Sequence, residues 1–259
     1  MLAPGPGLWH VRRRETKVVG TEAPFTHVIF DCDGVLVDSE GLSAAVLMGM
    51  MAEIGLPITP EIFRTDFLGR SFANAAARVL TRFGRPMPDD FQTHYRSRLL
   101  DRMRADLQPM AGIIPVLQSM AVPFSLATSS SPQRLAVSLE VTGLEPFFRG
   151  RCSTASEVTN GKPAPDLFLL AAERMAADPT RCLVIEDSEM GILAAQAAGM
   201  QVWHFKGGVH IKAGYELPPG VEPNRRIADM AELLAAFTRA GICAPPAVAD
   251  AGEEKAHGA

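Results

Sequence analysis

Two aspartates, Asp31 and Asp33, follow the apolar run Val28-Ile29-Phe30 and precede Gly34. An apolar run of this kind reads as a buried strand. Side chains alternate along a strand, so the two carboxylates point the same way while Cys32 points into the opposite layer. Gly34 lets the backbone leave the sheet at a tight angle. Paired carboxylates at a strand end, with solvent beyond, suit a divalent cation and phosphate chemistry. Taken alone, the same residues also describe a polar turn after a strand.

Three further groups stand downstream. Thr128 ends the apolar segment Pro123 to Ala127 and opens Thr128-Ser129-Ser130-Ser131-Pro132. Serine suits a helix N-cap and proline the first helical position, which turns backbone N–H groups toward the strand end. A hydroxyl beside those donors can hold a phosphoryl oxygen; a serine-rich turn is the plain alternative. Lys162 lies in Asn160-Gly161-Lys162-Pro163-Ala164-Pro165-Asp166, where two prolines stiffen the backbone around one cation. Most lysines are solvated and idle, but a catalytic ammonium needs a fixed position, and rigid flanks supply one. Glu186-Asp187 end the apolar run Cys182 to Ile185. Acids there are costly unless a cation or hydrogen bonds compensate them. Ser188 is explained as the cap of the next helix, which leaves the two acids before it unexplained.

The elements that must position these groups follow from periodicity. Gly41 to Ile54 reads as a helix, with Leu42, Val46, Met50 and Ile54 every four residues. Pro60 to Phe67, Phe72 to Phe83 and Pro88 to Leu107 continue as helices with no strand between them, which predicts a separate small bundle. From Gly112 strands and helices alternate: strands at 123–127, 149–154, 182–185 and 201–205, helices at 113–120, 132–141, 165–177, 189–198 and 227–237. Such alternation predicts an α/β fold, a parallel sheet with helices on both faces and ligands at the carboxyl ends of its strands. Each polar group above falls at such an end.

The bulk composition narrows the function. Over 259 residues, 47% are hydrophobic and 21% charged, enough for a sizeable core, and the net charge of −4 argues against a nucleic-acid or membrane-surface partner. No stretch approaches the ~20 apolar residues that cross a bilayer. The four cysteines form no CxxC pair, and two lie in predicted strands, as reduced buried thiols do; a cytoplasmic protein is the expectation. Residues 1–23 and 244–259 are rich in Pro, Gly, Ala and charge and read as flexible tails.

In order, Asp-x-Asp-Gly, a hydroxyl, Lys-Pro and Glu-Asp at successive strand ends resemble the four motifs of the haloacid dehalogenase superfamily. Asp31 to Glu40, Lys162-Pro163-Ala164-Pro165-Asp166 and Glu186-Asp187-Ser188 look most like its branch of β-phosphoglucomutases and sugar-phosphate phosphatases. The resemblance covers about residues 25–240. It implies a Rossmann-like core of 24–38 plus 108–243 and an inserted helical cap at 39–107. It also implies roles: Asp31 as nucleophile, Asp33 as acid and base, Lys162 as charge neutraliser and Thr128 as an orienting hydroxyl. Mg²⁺ would be held by Asp31, the Asp33 carbonyl and Asp187, with Glu186 direct or through water. Arg70, Ser129 and Gly34 are candidates for substrate contact.

Two departures bear on activity. The mutases carry a histidine on the first cap helix, but Leu42-Ser43-Ala44-Ala45 has none; they carry a cap lysine, and 39–107 contains no lysine. The expectation is therefore a Mg²⁺-dependent phosphatase for a small phosphorylated metabolite, a sugar or polyol phosphate, working as a monomer or weak homodimer. A phosphosugar mutase is the alternative. A dehalogenase needs neither Asp33 nor the Glu186-Asp187 pair, and a receiver-type phospho-acceptor lacks an insertion like 39–107. His204 and His210 are assigned no role, as partly exposed loop histidines.

Overall fold

The structure, a computed structural model, describes residues 24–67, 72–212 and 216–244. Strands β1 (His27–Phe30), β2 (Phe124–Thr128), β3 (Cys152–Thr154), β4 (Cys182–Glu186), β5 (Gln201–Phe205) and β6 (Arg225–Ile227) form one parallel sheet, in the order β3-β2-β1-β4-β5-β6. The chain builds outward from β1 through β2 to β3, then returns to place β4 on β1's other side. The carboxyl ends of β1 and β4 therefore flank the point where the winding reverses, where sheets of this kind bind ligands. Phe30 pairs in register with Leu126 of β2 and with Ile185 of β4, so the residues just beyond them emerge side by side.

The central strands are buried on both faces, which is why they read as continuous apolar runs and not as alternating ones. On one face Val28, Phe30, Leu126, Leu183 and Ile185 pack with α5 (Ile113–Ser119), α7 (Glu145–Phe148) and α11 (Met230–Arg239). Edge-to-face contacts of Phe30 with Phe124 and Phe148 fill that layer. On the other face Ile29, Val184 and Val202 pack with α8 (Asp166–Arg174) and α9 (Glu189–Ala197). Between β1 and α5 run α1 (Glu40–Glu53), α2 (Pro60–Asp66), α3 (Phe72–Phe83) and α4 (Phe91–Asp106), which gather a second apolar cluster around Leu47, Met51, Phe63, Val79 and Phe91. Leu99, Leu100 and Met103 of α4 join the main core instead, anchoring this helical unit to the sheet. The remaining helices are α6 (Pro132–Val141) and α10 (Val209–Lys212). Among the described residues no helix is long and apolar enough to cross a membrane.

Local chemistry sets the helix starts. Ser131 caps α6 by accepting from the Arg134 N–H at 3.3 Å, with Pro132 at the first helical position, as the sequence predicts. Two predicted helix starts move by three residues, and the strand expected over 149–154 is confined to Cys152–Thr154. The helix expected from Pro88 begins at Phe91, because Pro88 to Phe91 form a turn closed by Phe91 N–H donating to the Pro88 carbonyl. The helix expected from Ile227 begins at Met230, because Asp229 caps it by accepting from Glu232 N–H at 2.8 Å. Ile227 instead ends β6, an edge strand of three residues whose two arginines hide it from an apolar pattern. Of the expected tails 1–23 and 244–259, all but Ala244 lie outside the described residues, and Ala244 N–H donates to the Ser119 carbonyl at 2.9 Å.

The buried His27 is expected to couple stability to pH. His27 in β1 is buried, its Nε2 stands 2.9 Å from Ser125 Oγ, and burial together with the charge of Arg151 lowers its pKa to about 4. The unfolded chain binds that proton near pH 6.5, so His27 costs nothing above that pH and destabilises progressively as pH falls toward 4. Allowing for solvent screening, the loss should be roughly 1–3 kcal/mol. Melting curves of the wild type and His27→Gln should converge below pH 5 relative to pH 8; parallel pH profiles would contradict the assignment.

Candidate active site

The β1–β4 pairing brings acids distant in sequence to one place. Asp31 N–H donates to the Ile185 carbonyl at 3.0 Å, which seats Asp31 beside Glu186 and Asp187. Each of the three buried side chains offers an oxygen, all within 4.8 Å of one another. Lys162 Nζ enters from the loop after β3 and donates to Asp31 Oδ1 at 2.6 Å and to Glu186 Oε1 at 2.7 Å. Only 5% of the Lys162 side chain is exposed, and its ammonium lies 4.8 Å from the centroid of the Phe168 ring. The loop itself is pinned: Asp166 accepts from both the backbone and the side-chain nitrogen of Asn160. The rigidity read from its prolines is thus reinforced by a carboxylate.

Three buried carboxylates face one ammonium, and the imbalance shows in their proton affinities. Burial, outweighing Lys162 and aided by the charges of Glu186 and Asp187, raises Asp31 well above the usual carboxylate range. Burial and the Glu186 charge raise Asp187 likewise. Glu186 goes the other way: burial would raise it, but Lys162 and hydrogen bonds from Ser188 hold it low. Its Oε2 accepts from Asp187 N–H, Ser188 N–H and Ser188 Oγ at 2.7, 2.7 and 2.9 Å. Glu186 Oε2 is thereby well supplied with donors, whereas at Asp31 and Asp187 burial and like charge prevail. An oxygen-only set with surplus negative charge fits a hard divalent cation such as Mg²⁺.

Two neighbours complete this half of the site. Gly191 in α9 makes room for Glu186, since a Cβ at 191 would stand 1.7 Å from Glu186 Oε1. His204, expected to be a partly exposed loop residue, is instead buried within β5. Its Nε2 lies 3.1 Å from the Asp187 carbonyl, and burial lowers its pKa; a carbonyl only accepts, so neutral His204 donates through Nε2. His210 belongs to α10, and its side chain lies outside the described residues.

Asp33 is held quite differently from Asp31. Gly34, with φ of 81°, turns the chain, and its N–H donates to the Val37 carbonyl at 2.8 Å, folding Asp33 back over the strand end. Asp33 Oδ1 accepts from Ser39 Oγ at 2.5 Å and Arg134 Nη2 at 2.7 Å, and Oδ2 accepts from Ser130 Oγ at 2.6 Å. Burial alone would raise the Asp33 carboxyl, but the Arg134 guanidinium and the Ser130 and Ser39 hydroxyls hold it below the ordinary range. Thr128 is buried, and its Oγ1 accepts from Ser130 N–H at 3.0 Å, shaping the turn that presents Ser130. Ser129 is exposed, so in this turn the hydroxyl that meets Asp33 belongs to the next residue. Arg70 lies outside the described residues. Sequence reasoning passed over Arg134, Ser39 and Ser130. Arg134 did carry a signal: a cation in the first turn of a helix opposes the helix dipole, which marks it as facing an acid.

The family model for haloacid dehalogenase-like hydrolases matches residues 25–199, from β1 through α9. The chain belongs to that family. A probable pseudouridine-5'-phosphatase of Drosophila melanogaster is 36% identical over 187 residues, covering 68% of this chain and 80% of that protein. A phosphoglycolate phosphatase of Escherichia coli strain K12 is 32% identical over 197 residues, covering 66% and 77%. Among solved structures, a haloacid dehalogenase family hydrolase from Deinococcus radiodurans R1, with bound phosphate and sodium, superposes with a TM-score of 0.72. It is 33% identical and covers 86% of this chain and 100% of its own.

For this haloacid dehalogenase-like hydrolase, the space at Gly191 gives a direct check on the acid cluster. Gly191→Ala should displace Glu186 from Lys162, leaving buried charge unpaired at a cost of roughly 3–5 kcal/mol. Chemical denaturation should show that loss; a variant as stable as wild type would mean Glu186 does not need its present seat.

Proposed function

We propose that this hydrolase, a phosphoric monoester hydrolase by its family and its phosphatase relatives, dephosphorylates a small metabolite, a sugar or polyol phosphate, through an aspartyl-phosphate at Asp31. The observation that carries the reading is the cluster of Asp31, Glu186 and Asp187 around the buried ammonium of Lys162. The Asp31 carboxylate attacks phosphorus as the ester P–O bond breaks, and Asp33 gives its proton to the departing oxygen. Water then attacks the aspartyl-phosphate and loses a proton to the Asp33 carboxylate, the bond to Asp31 breaks, and both residues are restored. Asp33, held ionised by Arg134, Ser39 and Ser130, takes that first proton from solvent as an arriving phosphoryl anion raises its proton affinity, and regains it from the attacking water in later turnovers.

Lys162 offsets the charge that gathers as one anion approaches another. Asp31, Asp187 and the Asp33 carbonyl would hold Mg²⁺, with Glu186 direct or through water. A bound Mg²⁺ supplies charge neutralisation at the phosphoryl oxygens. Thr128 orients a phosphoryl oxygen together with the backbone of its turn, with Gly34 and Ser129 at the substrate's edge. Residues 39–107 act as a cap over a core of 24–38 and 108–243, and Arg70 is the cap residue proposed for substrate contact. A cap without lysine, and without a histidine near Ser43, favours release of phosphate over transfer to a second sugar hydroxyl.

With Mg²⁺ and a panel of sugar and polyol phosphates, the wild type should release phosphate steadily without a bisphosphate activator. Asp31→Asn should lower turnover on the order of 10³-fold or more while remaining folded, because an amide cannot serve as the nucleophile. EDTA should abolish activity and Mg²⁺ restore it. Mg²⁺ should also raise the melting temperature of the wild type, as any ligand of the folded state does, and raise that of Asp187→Asn less. Undiminished activity in Asp31→Asn or in chelator would overturn the mechanism.

A further inference from the structure

We infer that Arg134 is the positioning residue for Asp33, fixing the carboxylate that handles the leaving group and tying its place to the start of α1. The inference rests on the phosphatase reading above. One nitrogen, Arg134 Nη2, reaches Asp33 Oδ1 at 2.7 Å, Ser39 Oγ at 3.2 Å and Ser43 Oγ at 3.4 Å, so a single donor group spans the reacting loop and the first cap helix. Ser39 also donates to the same Asp33 oxygen, and its carbonyl accepts from Ser43 N–H at the head of α1. Asp33, Arg134 and α1 are thus one connected unit.

The arginine's own surroundings say what aims it. It stands in the first turn of α6, where the helix dipole disfavours a cation, and its Nε is buried without a hydrogen-bond partner. A surface arginine relaxes away from both penalties; this one is held by Asp33. Ser130 grips the other Asp33 oxygen from the turn that α6 follows, so both oxygens are fixed from the α6 side and one of them also from the α1 side. With Arg134 gone, Asp33 keeps two hydroxyl donors but loses the one group that locks both sides together.

Leaving-group chemistry separates this role from simple cross-linking. In the first step Asp33 gives a proton to the departing oxygen as its bond to phosphorus breaks. An alkoxide leaving from a sugar or polyol phosphate needs that proton, whereas p-nitrophenolate, a weak base, departs without it. The experiment measures kcat and KM for p-nitrophenyl phosphate and for the best sugar or polyol phosphate of the wild type. It compares wild type, Arg134→Gln, Arg134→Lys, Asp33→Asn and Asp31→Asn. Arg134→Gln should lose on the order of 10²-fold in kcat on the alkyl ester, the range of general acid catalysis. On the aryl ester it should lose less than about tenfold, with KM little changed on either, the same bias that Asp33→Asn shows more strongly. Arg134→Lys, which keeps a cation but not the planar fork, should fall between, and it decides the matter if Arg134→Gln does not fold. Equal losses on both esters, a loss confined to KM, or an Arg134→Lys ratio matching wild type beside an unfolded Gln variant would overturn the inference alone. Asp31-independent activity, or no activity in the wild type, would overturn the phosphatase reading and this inference with it.

Discussion

A shortage of positive charge at the seam between β1 and β4 governs this structure. Three carboxylates are buried within 4.8 Å of one another, and one ammonium stands among them. Carboxylates in such surroundings either take up protons or gather cations. Much of the nearby architecture serves to hold them there: the return of the chain that sets β4 beside β1, the pinned loop carrying Lys162, the glycine at 191 and the buried His204 behind Asp187. The surplus negative charge suits the place to a divalent cation, and a cation held there would in turn attract a phosphoryl group.

Two aspartates two positions apart acquire opposite characters from this arrangement. Asp31 faces the acid cluster and is pushed upward by burial and by its neighbours. Asp33, turned aside by Gly34, faces a guanidinium and two hydroxyls and is pulled down. Taken alone these directions run opposite to the proposed roles: a divalent cation at the cluster would lower Asp31 toward a nucleophilic carboxylate, and an arriving phosphoryl anion would raise Asp33 toward a proton donor. The division depends on Arg134, whose helix begins only because Ser131 and Pro132 set its first turn.

The parts legible in the sequence were those encoded by neighbours in the chain. β1 and β4 announced themselves as unbroken apolar runs, α6 by its cap, and Lys162 by the prolines around it. The family resemblance read from those motifs agrees with the match over residues 25–199. What escaped was non-local or too short. β6 has three residues, two of them arginines, and no periodicity can mark it. Ser130, not Ser129, meets Asp33 because the twist of one turn decides between adjacent hydroxyls. His204 looked like a loop residue, yet pairing of β5 with β4 buries it against the Asp187 backbone. Arg134 lies 101 positions from Asp33, and only the fold shows which acid its unfavourable helix position serves.

Trapping the covalent intermediate tests the central claim most directly. Wild-type protein turning over a phosphorylated substrate with Mg²⁺ is quenched with borohydride, which reduces an acyl-phosphate to an alcohol. The peptide containing Asp31 is then read by mass spectrometry. Conversion of Asp31, and not Asp33, to homoserine is the result this account predicts. An unmodified Asp31 during rapid turnover, or reduction at a different carboxylate, would contradict it.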